Sequence, residues 1–189
     1  MSFVLPVDDE LALRLLEPHH ADEVFAVIDA NREHIGRWMP WVAVTRSAQD
    51  TRAFAQRALH ELADHKQLAM IVLERGRVVG GTGWTDWKQA RHCENVEFAS
   101  ADIGYWLAAD AQGRGIMTRS VRALVRHAFH DRGLHRLTIR CEPANEQSGA
   151  IPRRLGFRHE GTMRRIARWN DRWIDHELFA LLADEWDDR

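Results

Sequence analysis

Apolar residues recur along this chain with two different periods, and the switches between them predict its elements. Ala12–Leu16 alternates as a first strand, and Pro18 starts the next element. Ala21, Val24, Phe25 and Ile28 then form one face of a helix over His19–Asn31. Trp38-Met39-Pro40-Trp41 interrupts the helical region with aromatic bulk and a proline. Ser47 is suited to cap a second helix running to about His65, with Phe54, Ala58 and Leu62 on its stripe. Leu68–Leu73 and Val78–Trp84 read as a hairpin around Gly76, the second strand carrying Gly80 and Gly81. The charged stretch Trp87–Ala99, which holds Cys93, reads as a loop that enters a strand near Val96.

Ala101–Leu107 is the next strand. A helix from about Arg119 to Asp131 comes after it, with Val121, Leu124, Val125, Ala128 and Phe129 on its buried face and Gly133 at its end. His135–Cys141 is a strand, Glu142-Pro143-Ala144-Asn145 a turn, and Ser148–Leu155 a short helix ended by Gly156. Pro152 has no N–H, so inside that helix it leaves the Ser148 carbonyl without its usual donor. Phe157–Trp169 and Trp173–Leu182 form a long hairpin across Asn170-Asp171-Arg172, with an excursion near Gly161–Arg165. Strands and helices in this order suit an α/β chain, a mixed sheet with helices on both faces.

The 189 residues fit one domain spanning 1–189. No run of eighteen apolar residues predicts a membrane span, and the acidic start is unlike a secretion leader. With Cys93 and Cys141 far apart, a reduced, cytoplasmic chain is the expectation. A formal net charge of −2 gives no general attraction to nucleic acid. Arginines gather late, at Arg153, Arg154, Arg158, Arg164, Arg165 and Arg168, as surface charges or as partners for phosphates.

Between the Ala101–Leu107 strand and its helix lies Gln112-Gly113-Arg114-Gly115-Ile116-Met117-Thr118. A glycine-rich turn that opens a helix aims backbone N–H groups at one point and suits a phosphate. Its spacing is neither GxGxxG nor GxxxxGK. The stretch resembles the pyrophosphate loop of the GCN5-related N-acetyltransferases, in which Gln or Arg is followed after two residues by Gly, and then, one further on, by Gly or Ala. Gln112, Gly115 and Met117 occupy those positions, and Met117 departs from the usual small residue. A side chain of that size is tolerated if it points into the core. Asn145-Glu146-Gln147-Ser148 and Leu155-Gly156-Phe157-Arg158-His159-Glu160-Gly161 resemble the family's second signature. Gly104-Tyr105-Trp106-Leu107 and Asn170-x-x-Trp173-x-Asp175 resemble the branch that holds the ribosomal-protein N-terminal serine and alanine acetyltransferases.

The resemblance covers roughly Leu13–Trp186. It implies a mostly antiparallel mixed sheet of about seven strands, splayed between the fourth and fifth. It implies acetyl-CoA as donor, held by Tyr105, Trp106, Leu107, the 112–118 loop, Asn145 and Ser148, with no metal. It also implies a protein N-terminus as acceptor, a ribosomal protein being the specific case, and a monomer or homodimer. A small amine, such as a polyamine or an aminoglycoside, is the alternative acceptor, and a non-enzymatic coenzyme-binding module the alternative function.

Acetyl transfer needs a neutral amine, donors for the developing oxyanion, and a hydrogen bond or proton for the departing thiolate. Ser148 matches the family position that serves the sulfur, with a local cap as its structural alternative. Asn145 either caps the turn or contacts ligand. Glu160 is the matching base or amine anchor, or else an ion-pair partner of Arg158 or Arg164. Asp102 is the rival base; alternation puts it with Gly104 and Trp106 on one face, and Ile103, Tyr105 and Leu107 on the other. Tyr105 offers a hydroxyl as acid, while Cys141 reads as a buried strand residue. Trp38, Met39, Trp41, Trp84 and Trp173 are the candidate walls of the acceptor site. His127, His130 and His135 lack an HExxH arrangement and read as a solvated helix edge, and no G-x-S-x-G elbow is present.

Overall fold

The computed structural model of the protein describes residues 3–93 and 96–188, without the side chains of 89–98. Its strands are β1 (Val4–Pro6), β2 (Leu11–Leu15), β3 (Leu68–Glu74), β4 (Arg77–Cys93), β5 (Val96–Leu107), β6 (Arg136–Cys141), β7 (Arg158–Trp169) and β8 (Arg172–Leu182). They form one sheet in the order β1-β2-β3-β4-β5-β6-β8-β7, antiparallel throughout except for the parallel pair β5 and β6. The helices are α1 (Ala21–Ala30), α2 (Arg32–Gly36), α3 (Ala48–Ala63), α4 (Ile116–Arg126) and α5 (Glu146–Arg154).

The sheet separates two cores. On one face Val121, Leu124 and Val125 of α4, all fully buried, pack with Leu137, Ile139, Phe179 and Leu181. Each such side chain contributes roughly 2 kcal/mol. On the other face Val24 and Ile28 of α1 and Ala55 and Ala58 of α3 cover Ile71 and Leu73. α3 begins where Ser47 was expected to cap it, its Oγ accepting from the Asp50 amide at 3.3 Å.

Three departures from the sequence reading have local causes. Val4–Pro6 adds an edge strand, too short to show a period, so the strands expected as fourth and fifth are β5 and β6. The stretch expected as a loop after Trp87 continues β4 as a ladder with β5 to Cys93, whose side chain lies outside the described residues. Asp86, at φ 49°, sits in the irregularity that breaks its alternation. α4 starts at Ile116, three residues early, because Gly115 rather than a polar side chain forms its N-cap. Its last turn, His127–Asp131, widens to π geometry while His127 Nδ1 bonds Asp131 at 2.7 Å. The excursion expected in β7 is present, with Arg165 at φ 52° and register shifts on either side of Met163.

Gly83 faces the β3 backbone so closely that a Cβ there would meet the Leu68 carbonyl oxygen at 1.9 Å. Gly83→Ala is expected to lower the unfolding free energy by about 2 kcal/mol or more in urea titrations. Its cross-strand partner Gly104 has open space at that position. Gly104→Ala is expected to stay within about 0.5 kcal/mol of the parent. Equal effects of the two would contradict this packing.

Candidate active site

β5 and β6 pair from Ser100–Arg136 to Ile103–Ile139. β5 then runs on to Leu107 and β6 to Cys141 without further pairing to each other among the described residues. The strands part, and the β6-facing edge of Gly104–Leu107 is left with backbone donors and acceptors that a ladder would have used. A cleft of about 630 Å³ opens there, walled by Tyr105, Trp106 and Leu107 on one side and Asn145, Ser148 and Ile151 on the other. Trp106 lies across β4 because its partner Gly81 has no side chain; a Cβ there would come 2.5 Å from the indole Nε1.

The glycine loop closes one end of this cleft. Gly113 and Gly115 have φ of 72° and 70°, and neither would crowd a neighbour with a Cβ. Left-handed backbone, not tight space, is therefore what calls for glycine at both. Gly115 caps α4 without a side-chain acceptor, so the first amides of the helix stay available to a ligand. Gly113, Gly115, Ile116, Met117 and Thr118 line the cleft. Met117 is nevertheless 6% exposed and packs in the core, which accommodates its departure from the usual small residue. The Arg114 side chain turns away to grip Glu74 at 2.7 and 3.0 Å, leaving only its backbone to the loop. Arg119 and Arg154 also line the cleft, and Arg119 is held by Asp8 at 2.5 Å. Gln112 bonds His34 of α2 at 2.8 Å. His34 is a cleft residue that sequence reasoning missed, because nothing along the chain links α2 to a loop 78 residues away.

At the other end Asn145 Oδ1 accepts from the Ser148 amide at 3.2 Å and caps α5. Pro152 does sit inside α5. The Ser148 carbonyl, which Pro152 cannot serve, accepts instead from the Tyr105 hydroxyl at 2.9 Å, and Ser148 Oγ donates to that same hydroxyl at 3.3 Å. Burial pushes the Tyr105 hydroxyl up, above the ordinary phenol range. Burial likewise pushes the Cys141 thiol up, in keeping with a strand residue under α5.

The face of the sheet opposite α5 carries the acidic candidates. Asp102 and Thr138 are partners across β5 and β6, and the Asp102 carboxylate pairs with Arg140, which also reaches Asp86 at 3.4 Å. Burial pushes the Asp102 carboxyl above the usual carboxylate range, against the opposing pull of Arg140. Glu160 is placed otherwise than its motif suggested. It is the extra residue in a β7 bulge, gripped by Arg136 at 2.8 and 2.5 Å, and that guanidinium holds its carboxyl below the usual range. Arg136 begins β6, five residues or roughly 16 Å from the strand's cleft end. Arg158, expected as an alternative partner of Glu160, pairs with Glu185 instead. His176 is the unforeseen polar residue of this region. It follows the β8 alternation of Ala180 and Leu178, the partners of Thr138 and Arg140, and its Nδ1 is buried without a partner.

The tryptophans divide. Trp38 and Met39 line the cleft, and Trp41 backs it by packing edge-on against Trp106 at 6.2 Å. Trp84 is removed from the acceptor set: it is fully buried, stacked on His127 at 5.8 Å. Trp173 is 55% exposed and lines neither the cleft nor its neighbour. Trp169 and Asn170, at the hairpin tip, close a second groove of about 930 Å³ with Arg37, Met39 and Pro40. Met39 borders both cavities.

The acetyltransferase (GNAT) domain family matches residues 10–158. The chain is 30% identical over 187 residues to the putative ribosomal N-acetyltransferase YdaF of Bacillus subtilis, covering 98% of each. It is 26% identical to the ribosomal-protein-serine acetyltransferase of Escherichia coli, over 97% of this chain and 99% of the relative. Among solved structures, the microcin C7 self-immunity acetyltransferase MccE, in complex with acetyl-CoA and AMP, superposes with a TM-score of 0.84 at 25% identity, covering 93% and 94% of the two chains.

The loop geometry makes its own prediction. Gly115→Val places a β-branched residue in left-handed backbone, at a stability cost of about 1–2 kcal/mol. Coenzyme affinity is expected to fall more than that, by about 30-fold or more in titration calorimetry. Unchanged affinity in a folded Gly115→Val protein would contradict this placement of the diphosphate.

Proposed function

As the chain belongs to the acetyltransferase (GNAT) family, we propose that it moves the acetyl group of acetyl-CoA onto the α-amine of a protein N-terminus, a ribosomal protein being the specific acceptor. The observation that carries this reading is the parting of β5 and β6, with an unpaired strand edge, a helix N-terminus and Ser148 around one cleft. Acetyl-CoA supplies a thioester that an amine attacks directly, so no covalent enzyme intermediate is needed. The loop 112–118 holds the diphosphate by its amides, with Arg154 beside it. The free edge of Gly104–Leu107 holds the pantetheine arm as a neighbouring strand would, and its amides stabilise charge on the carbonyl oxygen. Ser148 serves the sulfur as the C–S bond breaks.

The acceptor enters from the face opposite α5, through the groove between α2 and the β7–β8 tip. A chain end suits this groove, and its α-amine loses a proton more readily than a lysine side chain. Asp102 takes that proton. Its strand position is four residues, about 13 Å, from Trp106, so the transfer runs along a chain of several waters. Glu160 stabilises the sheet edge through Arg136 and has no part in the reaction.

Intact-mass assays against peptides beginning with Ser or Ala, polyamines and aminoglycosides test the acceptor. A peptide product is expected; turnover of small amines with no peptide product would overturn the choice. The base assignment predicts a pH signature. A raised Asp102 pKa means the active, ionised form is lost as pH falls through a range above that of an ordinary carboxylate. Asp102→Asn is expected to remove that acidic limb and lower kcat by about 100-fold. Glu160→Gln is expected to keep the profile and to stay within about twofold, under 0.5 kcal/mol of barrier. The reverse pattern would restore Glu160 as base.

A further inference from the structure

Pro152 creates a defect in α5, and Tyr105 fills it. In an unbroken helix the Ser148 carbonyl would accept from the amide four residues on, but residue 152 is proline. The Tyr105 hydroxyl stands 2.9 Å from that carbonyl and takes the place of the missing donor. The same hydroxyl oxygen accepts from Ser148 Oγ at 3.3 Å, so one phenol grips both polar groups of one serine. The grip crosses the cleft, from the free edge of β5 to the first turn of α5. Asn145 fixes the Ser148 amide from below. Three polar groups of Ser148 are thereby held from two separate elements.

We propose that Tyr105 is a positioning residue that holds Ser148 in line with the departing sulfur, acting as a side-chain substitute for the amide that Pro152 lacks. The inference rests on the acetyltransferase reading above and deepens it. Tyr105 does not act as the acid. Buried and above the ordinary phenol range, it keeps its proton, which stays committed to the Ser148 carbonyl. Over the whole reaction the amine loses one proton and the thiolate gains one; the C–N bond forms as the C–S bond breaks. As the C–S bond breaks, the Ser148 hydroxyl turns its proton from the phenol oxygen to the sulfur and takes one from solvent in the same step; the proton that Asp102 took from the amine returns to solvent, and Tyr105 ends as it began. Pro152 belongs to the same device, since an amide at that position would compete with the phenol for the carbonyl.

Tyr105→Phe removes the hydroxyl and keeps the ring. It is expected to lower kcat about fivefold to tenfold, the effect of one ordinary hydrogen bond, with the KM for acetyl-CoA within about twofold. In a Ser148→Ala background the same change is expected to lower kcat by less than about twofold, because the group it positions is gone. Pro152→Ala supplies an amide to the Ser148 carbonyl, so adding it to Tyr105→Phe is expected to recover kcat toward wild type. Multiplicative losses at 105 and 148, or a double variant at 105 and 152 no better than Tyr105→Phe alone, would overturn the proposal. Urea unfolding reads the latch without any turnover. Tyr105→Phe should lower the midpoint in the Pro152 protein and lower it less in the Pro152→Ala protein, and equal shifts would overturn the latch. A wild-type protein that shows this coupling but binds no acetyl-CoA would instead sink the acetyltransferase reading.

Discussion

The structure turns on the point where a parallel strand pair stops. β5 and β6 are the sheet's only parallel neighbours among the described residues, and they separate after Ile103 and Ile139. Parallel strands need a crossover, which here carries the glycine loop and α4. That crossover delivers a helix N-terminus to the end of β5, just where β5 loses its partner. The two features recruit each other: an unpaired edge needs hydrogen-bond partners, and a bare helix N-terminus needs an anion. A long ligand with an amide-bearing arm and a diphosphate satisfies both. The residues that frame the gap are fixed from outside it. Trp106 lies over Gly81 and edge-on against Trp41, and Gln112 is tied to His34 of α2.

Several arginines are occupied by carboxylates. Arg114 serves Glu74, Arg136 serves Glu160 and Arg158 serves Glu185. Such pairs on a surface contribute about 0–1 kcal/mol each, so their effect is to direct charge more than to stabilise. They take Arg114 out of the cleft. For Asp102 burial outweighs the pull of its arginine partner, which leaves a carboxylate that titrates above the usual range. That property separates a candidate base from a structural ion pair, and sequence position alone did not carry it.

Much of the fold was readable where local chemistry decides. The Ser47 cap, the α4 stripe, the Gly133 and Gly156 turns in left-handed backbone and the Asn145 cap all appear where expected. The missing donor at Pro152 was legible as well; its replacement was not, because Tyr105 lies 43 residues away. What the sequence did not show has the same origin. Glu160 sits in a bulge, and a bulge shifts which side chain faces which neighbour without altering the motif. Trp84 is an aromatic on a strand, and only the packing of α4 and its π turn shows it to be sealed against His127. β1, with three residues, is too short for periodicity to reveal.

The central claim is that the free edge of β5 and the start of α4 bind one ligand together. Amide hydrogen exchange, resolved by residue with and without saturating acetyl-CoA, tests it most directly. Slowed exchange is expected at Gly104–Leu107 and at Gly113–Thr118 in the same titration, with one shared affinity, and unchanged exchange at His159 and Gly161 beside Glu160. Protection of the loop without the strand edge, or of neither while the coenzyme binds elsewhere, would contradict it.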